Sequence, residues 1–112
     1  MDARLPSSVV VGGLIRLAER DGGFGAVLSK GDRTAGSIVI VLVERGERKA
    51  VLERLLLADG SYGWRDSPGA GNNEEDMVKF LDRRRGFDPD LWVLELDVAS
   101  AERFAAEMTA ID

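Results

Sequence analysis

The sequence predicts an α/β (α+β) fold: a single, mostly antiparallel sheet of about five strands with helices on both faces. Three observations carry this expectation. The run "SIVIVLVE" (37–44) is apolar at consecutive positions, which marks a strand covered on both sides. Apolar stripes at helical spacing stand near the start, around residue 77 and at the end. Turn-forming clusters separate the remaining apolar runs. The resulting order is α-β-β-β-β-α-β-α. A central strand with two apolar faces needs helices on each, so three layers fit better than two.

The first helix opens at Pro6 and Ser7-Ser8, with either serine as its cap. Its stripe is Val10, Val11, Leu14, Ile15 and Ala18, and Gly22-Gly23 ends it. Gly12-Gly13 and three valines are poor helix formers. A strand "VVV" with a phosphate-binding Gly-Gly turn is the rival reading, but its glycine pattern is too short for a dinucleotide fingerprint. "FGAVLSK" (24–30) reads as a strand and "GDRTAG" (31–36) as a turn, with Lys30-Gly31-Asp32 at a hairpin tip. "ERGERK" turns the chain after the central strand, and "AVLERLLLA" (50–58) is the next strand. Asp59-Gly60 suits a two-residue hairpin. "SYGWR" (61–65) returns with Tyr62 and Trp64 on one face. These four strands can form an antiparallel meander. Asn72 or Asn73 caps a helix over 74–85, whose stripe is Met77, Phe80 and Leu81. "LWVLELDV" (91–98) is the last strand. Ser100 caps a final helix with the stripe Ala101, Phe104, Ala105 and Met108.

Composition narrows the functions. The 112 residues suit a single globular domain over 1–112, with no linker or repeat to divide it. There is no cysteine, hence no disulfide and no thiolate metal site. There is no histidine, the usual general base near neutral pH and the commonest transition-metal ligand. No metal and no cofactor are expected. Acids outnumber Lys plus Arg by 20 to 15, and the net charge of -5 disfavours a nucleic-acid partner. No apolar run reaches the ~20 residues that span a bilayer. "MDARLPSSVVVGG" carries an early acid and a proline, unlike a secretory signal. A soluble, cytoplasmic bacterial protein is the expectation.

Four pieces carry a family resemblance: "DARLP" at the start, "GGFGAVLSKGDRTAGSIVIVL" (22–42), Trp64 after the hairpin, and "FLDRRRGFDPDLWVLELDVASAERF" (80–104). Together they resemble the small bacterial proteins of domain-of-unknown-function family 1491, known mainly from alphaproteobacteria. The likeness runs over nearly the whole chain, and "KGD…G" and "DPDLW" are its most specific parts. It implies a single domain of about this length with no assigned activity. It carries no catalytic residues over to this chain.

The candidate polar site is Arg84, Asp88, Asp90, Glu95 and Asp97. Arg83, Arg84 and Arg85 end a helix that starts Glu74-Glu75-Asp76, and both ends complement the helix dipole. Gly86 then suits a left-handed cap, with Phe87 folded back on Leu81. Arg84 lies three residues after Leu81 and four after Phe80, on the apolar stripe itself. There it must snorkel or find a carboxylate, with Asp88, Asp90 and Glu95 in reach. Asp88-Pro89-Asp90-Leu91 has a type I turn signature. Glu95 and Asp97 share one strand face at ~7 Å, a spacing open to a divalent cation or an acid/base pair, and more usual for a solvated patch.

Two further features invite function. The loop 66–76 precedes a helix in the order of acyl-CoA-binding N-acetyltransferase cores, where backbone N–H groups hold pyrophosphate. The three acids at this helix start oppose that use. Tyr62 and Trp64, on one face of a short strand, are either core or a candidate interface, since such aromatics are frequent at binding hot spots. Arg48, Lys49 and Arg83–Arg85 would have to share one surface to bind nucleic acid. The function expected is a non-catalytic module that binds a protein partner or a second copy of itself. The alternative is a small enzyme or ligand-binding protein using Arg84, Glu95 and Asp97, or the 66–76 loop.

Overall fold

The computed structural model describes residues 5–108. Its elements are α1 (Ser7–Arg20), β1 (Phe24–Ser29), β2 (Ile38–Glu44), β3 (Glu47–Leu56), β4 (Tyr62–Asp66), a 3-10 turn (Pro68–Ala70), α2 (Glu74–Phe87), β5 (Trp92–Val98) and α3 (Ala101–Met108). The five strands form one mixed sheet in the order β1-β5-β2-β3-β4. Every pairing is antiparallel except β2 with β5.

The layers follow from the pattern of side chains. Residues 38–43 of β2 are all buried, as its unbroken apolar run requires. Ile38, Ile40 and Leu42 face α1 and α3 together with Trp92, Leu94 and Leu96 of β5. Val39, Val41 and Val43 face α2 together with Val51 and Val93. Val10, Leu14, Ala18, Phe104 and Met108 cover the first face, and Met77, Phe80 and Leu81 cover the second.

The meander holds for β2, β3 and β4 only. β5 inserts between β1 and β2, so residues 30–37 do not make a hairpin turn. They cross the head of β5 and are clasped to it. The Asp32 N–H donates to the Asp90 carbonyl at 3.0 Å. The Trp92 indole Nε1 donates back to the Asp32 carbonyl at 2.7 Å. The Trp92 N–H donates to the Ser37 carbonyl at 2.8 Å. Gly31 and Gly36 allow this approach: a Cβ on either would stand 2.1 or 2.3 Å from the Asp90 carbonyl oxygen. The Asp32 carboxylate accepts the N–H groups of Thr34 and Ala35 at 3.0 and 2.8 Å. Those two bonds hold its pKa below the ordinary aspartate range. The pieces "KGD…G" and "DPDLW" are thus the two halves of one fastening.

Several termini differ from the sequence expectation. Pro6 precedes α1 without a side-chain cap. The N–H groups of Ser7 and Ser8 donate instead to the carbonyls of Thr34 and Arg33, and Ser7 Oγ donates to the Gly36 carbonyl at 2.6 Å. Arg45 and Gly46, both at positive φ, form a two-residue hairpin between β2 and β3. The β3–β4 turn takes residues 58–60, one more than expected: the Leu57 N–H donates to the Ser61 carbonyl and the Gly60 N–H to Leu57. α2 is capped by Asn73, whose Oδ1 accepts the Asp76 N–H at 2.8 Å. It runs through Gly86 to Phe87, so Gly86 is not a left-handed cap. Phe87 is 88% exposed and does not fold back on Leu81. Of the opening "DARLP", residues 2–4 lie outside the described residues.

Candidate functional site

Arg84 occupies the stripe position that its spacing indicates, and its partner is Glu53 of β3. Nη2 and Nε lie 2.6 and 2.8 Å from the same Glu53 Oε1. The other Glu53 oxygen lies 3.6 Å from Arg65 of β4. Asp88, Asp90 and Glu95 are not part of this pair. Sequence reasoning missed Glu53, although a signal was present. In "AVLERLLLA", Val51 and Glu53 share a strand face, and that face packs under α2 through Val51. An acid on an apolar strand face and an arginine on an apolar helix face answer each other. Both groups are half-buried, so the pair contributes on the order of 1 kcal/mol.

The other polar candidates scatter. Asp88 accepts the Asp90 N–H on Oδ1 at 3.1 Å, and the Leu91 N–H donates to the Asp88 carbonyl, which closes the turn into β5. Asp90 gives its carbonyl to the clasp. Glu95 and Asp97 stand on the α2 side of β5, opposite Ala26 and Phe24 of β1. β2 separates β5 from β3, so Glu95 lies two strands from Glu53, ~10 Å across the sheet. Among the described residues no group of three or more acids could hold a metal ion. Arg84 does not converge with Glu95 and Asp97 in a cleft.

The loop 66–76 does border a cavity of about 360 Å³, lined on the other side by Glu47, Arg48, Lys49 and Val51. Its chemistry is already committed. Arg48 donates to the Gly71 carbonyl at 2.8 Å, and Lys49 pairs with Glu47 at 3.4 Å. Glu74, Glu75 and Asp76 fill the first turn of α2. The remaining helix starts are occupied as well. Loop carbonyls take the N–H groups of α1. On α3, Glu44 Oε1 accepts the Ala101 N–H at 2.8 Å and Ser100 Oγ the Arg103 N–H at 3.3 Å. Each helix start meets carbonyls or carboxylates, a poor setting for an anion. Arg85 pairs with Asp82 at 3.3 Å. Arg48, Lys49, Arg84 and Arg85 thus each have a partner within the chain.

The two sheet edges hold the remaining candidates. On β4, Trp64 packs against the α1–α3 core and Tyr62 lies under the Arg54 guanidinium, 3.8 Å from its ring centroid. Both aromatics are half-buried, and the strand ends in Arg65 and Asp66. β1 is different. It carries no charge and no proline, and Phe24, Val27 and Leu28 are 56, 44 and 47% exposed. Phe24 and Ala26 face the α2 side, opposite Asp97 and Glu95, and Leu28 is the extra residue of a bulge between Val27 and Ser29. The run 24–28 lacks the charge or proline that usually marks an edge strand, so its place at the edge is not legible from its residues.

Comparison with known proteins agrees with the fold. A family model described as a protein of unknown function (DUF1491) matches residues 5–106. A crystal structure of a DUF1491 protein from Caulobacter crescentus CB15 is 29% identical, with a TM-score of 0.77, over 90% of this chain and 94% of that one. An NMR structure of a DUF1491 protein from the same organism is 32% identical, with a TM-score of 0.75, over 89% and 91%. The solution structure of Atu0922 from A. tumefaciens is 30% identical, with a TM-score of 0.71, over 87% and 88%. No curated protein matches the chain. No helix among the described residues is long and apolar enough to cross a membrane. With the model match covering nearly the whole chain and the same fold in these relatives, the chain belongs to the DUF1491 family.

Proposed function

We propose that this protein is a non-catalytic binding module that engages a protein partner through the free edge of β1, in the cytoplasm. One observation carries the reading: β1 ends the sheet with exposed apolar side chains and no charge. Edge strands of folded proteins are commonly blunted by charge, proline or a covering element, since their open N–H and C=O groups recruit other strands. β4 has that protection and β1 does not. A strand added to β1 would gain main-chain hydrogen bonds along the edge and apolar contact with Phe24, Val27 and Leu28. The scatter of the candidate polar residues supports the same reading, because among the described residues Arg84 pairs with Glu53 while Glu95 and Asp97 stand apart from it.

The test is a photo-crosslinking amino acid placed at position 24 and, separately, at position 64, in cells that carry the gene. A protein adduct at 24 with none at 64 is the expected result. No adduct at 24 would overturn the reading. Cell fractionation checks the location, with the protein expected in the cytoplasmic fraction.

A further inference from the structure

Resting on the reading of β1 as the binding edge, we infer that its partner is a second copy of this chain, paired β1 to β1 about a two-fold axis at Ala26. A two-fold axis normal to the sheet makes the new pair antiparallel and keeps each residue on its own face. With Ala26 on the axis, Phe24 lies opposite the second copy's Leu28, and Gly25 lies opposite its Val27. Ala26 alone meets its own counterpart, and an exposed Phe24–Leu28 contact flanks it on each side as large, small, large. The smallest side chain sits where two identical residues must share the axis.

Charge fits the same arrangement. Lys30 follows the C-terminal end of β1, while Asp97 stands beside its N-terminal end, opposite Phe24. Neither joins an ion pair among the described residues. An antiparallel pairing brings the basic end of each copy towards the acidic end of the other, twice. A parallel pairing would stack like ends together. The contact covers one six-residue strand, less than the ~800 Å² per partner of a standard interface, so a dissociation constant on the order of 10–100 µM is expected. This one pairing would join the sheets of both copies into one continuous sheet.

Sedimentation equilibrium from about 5 to about 500 µM brackets that affinity. The wild-type mass should rise from 12.2 kDa towards twice that value. Ala26→Lys, which puts two ammonium groups on the axis, should stay at 12.2 kDa with an unchanged circular dichroism spectrum and melting temperature. Leu28→Lys should do the same. Because the chain has no cysteine, Ala26→Cys supplies a direct geometric probe. Opposed Cα atoms of an antiparallel pair lie ~4.5–5.5 Å apart, within disulfide reach. Ala26→Cys should form a disulfide dimer under mild oxidation, and Arg65→Cys on the opposite edge should not. A monomeric wild type at the highest concentration, a dimer that survives Ala26→Lys, or crosslinking at 65 in place of 26 would each overturn the inference. A monomer whose position-24 adduct contains another protein would defeat the second copy and leave the binding edge standing. A monomer with no adduct at 24 would defeat both.

Discussion

Residues 24–29 and 30–37 are neighbours in sequence and opposite in use. The first segment is apolar and lies exposed along a sheet edge. The second is polar and glycine-bearing, and it is bolted to the head of β5. Hydrophobicity alone would assign the structural role to the first and the free surface to the second. The difference teaches that backbone approach can commit a polar loop as firmly as burial commits a strand. It also gives the pieces "KGD…G" and "DPDLW" a structural use in this chain, as the two sides of that contact.

The largest expected effect tests that bolt. Gly31→Val places a Cβ within 2.1 Å of the Asp90 carbonyl and 2.7 Å of the Trp92 ring. The main chain on both sides must shift, at a cost of about 3 kcal/mol or more. A fall in melting temperature of roughly 10–15 °C should follow. A stability close to wild type would mean the crossing is loose.

Trp92→Phe is next. It removes the indole N–H that the Asp32 carbonyl accepts, together with part of a buried side chain. A loss of about 1–2 kcal/mol is expected in denaturant unfolding, with the slope unchanged.

A smaller effect belongs to Asp32 itself. Its folded pKa is depressed by the two N–H groups it accepts. The stabilisation is therefore present above the ordinary aspartate pKa of about 4 and fades as pH falls through the lower folded value. Asp32→Asn should be less stable than wild type at pH 7, and the gap should narrow on acidification below pH ~4. A gap independent of pH would show that charge has no part in it.

The smallest effect is expected on the edge. Leu28→Lys should alter unfolding stability by no more than ~0.5 kcal/mol, since the side chain is exposed in the single chain. Combined with its expected loss of self-association, that near-silence would separate binding from folding at this site. A large destabilisation would mean that β1 is committed to the core after all.

Much of the fold was legible in the residues. The doubly apolar run 37–44 located the central strand, and helical spacing located all three helices. These signals are local, because period and burial reside in neighbouring residues. The candidate site was legible by halves. Arg84 stood out as a charge on an apolar stripe, but its partner lies 31 residues back on a strand. Glu53 carried the matching misfit, and only the shared α2 face joined the two. Gly86 shows the opposite failure: a glycine after three arginines invites a cap, yet the helix continues through it to Phe87.

By itself, then, the sequence determined the kinds and order of the elements, the three layers, the central strand and the lack of imidazole and thiol chemistry. Each follows from residue type or from spacing within a few positions. Tertiary structure alone decided that β5 enters between β1 and β2, that Arg84 meets Glu53, and that an apolar strand is left on the edge. Strand order depends on which distant backbones meet, and hydrophobic pattern does not encode that choice. Here two glycines and an indole N–H let the crossing close over the head of β5, a use visible only when residues 31 to 36 lie against 90 to 92.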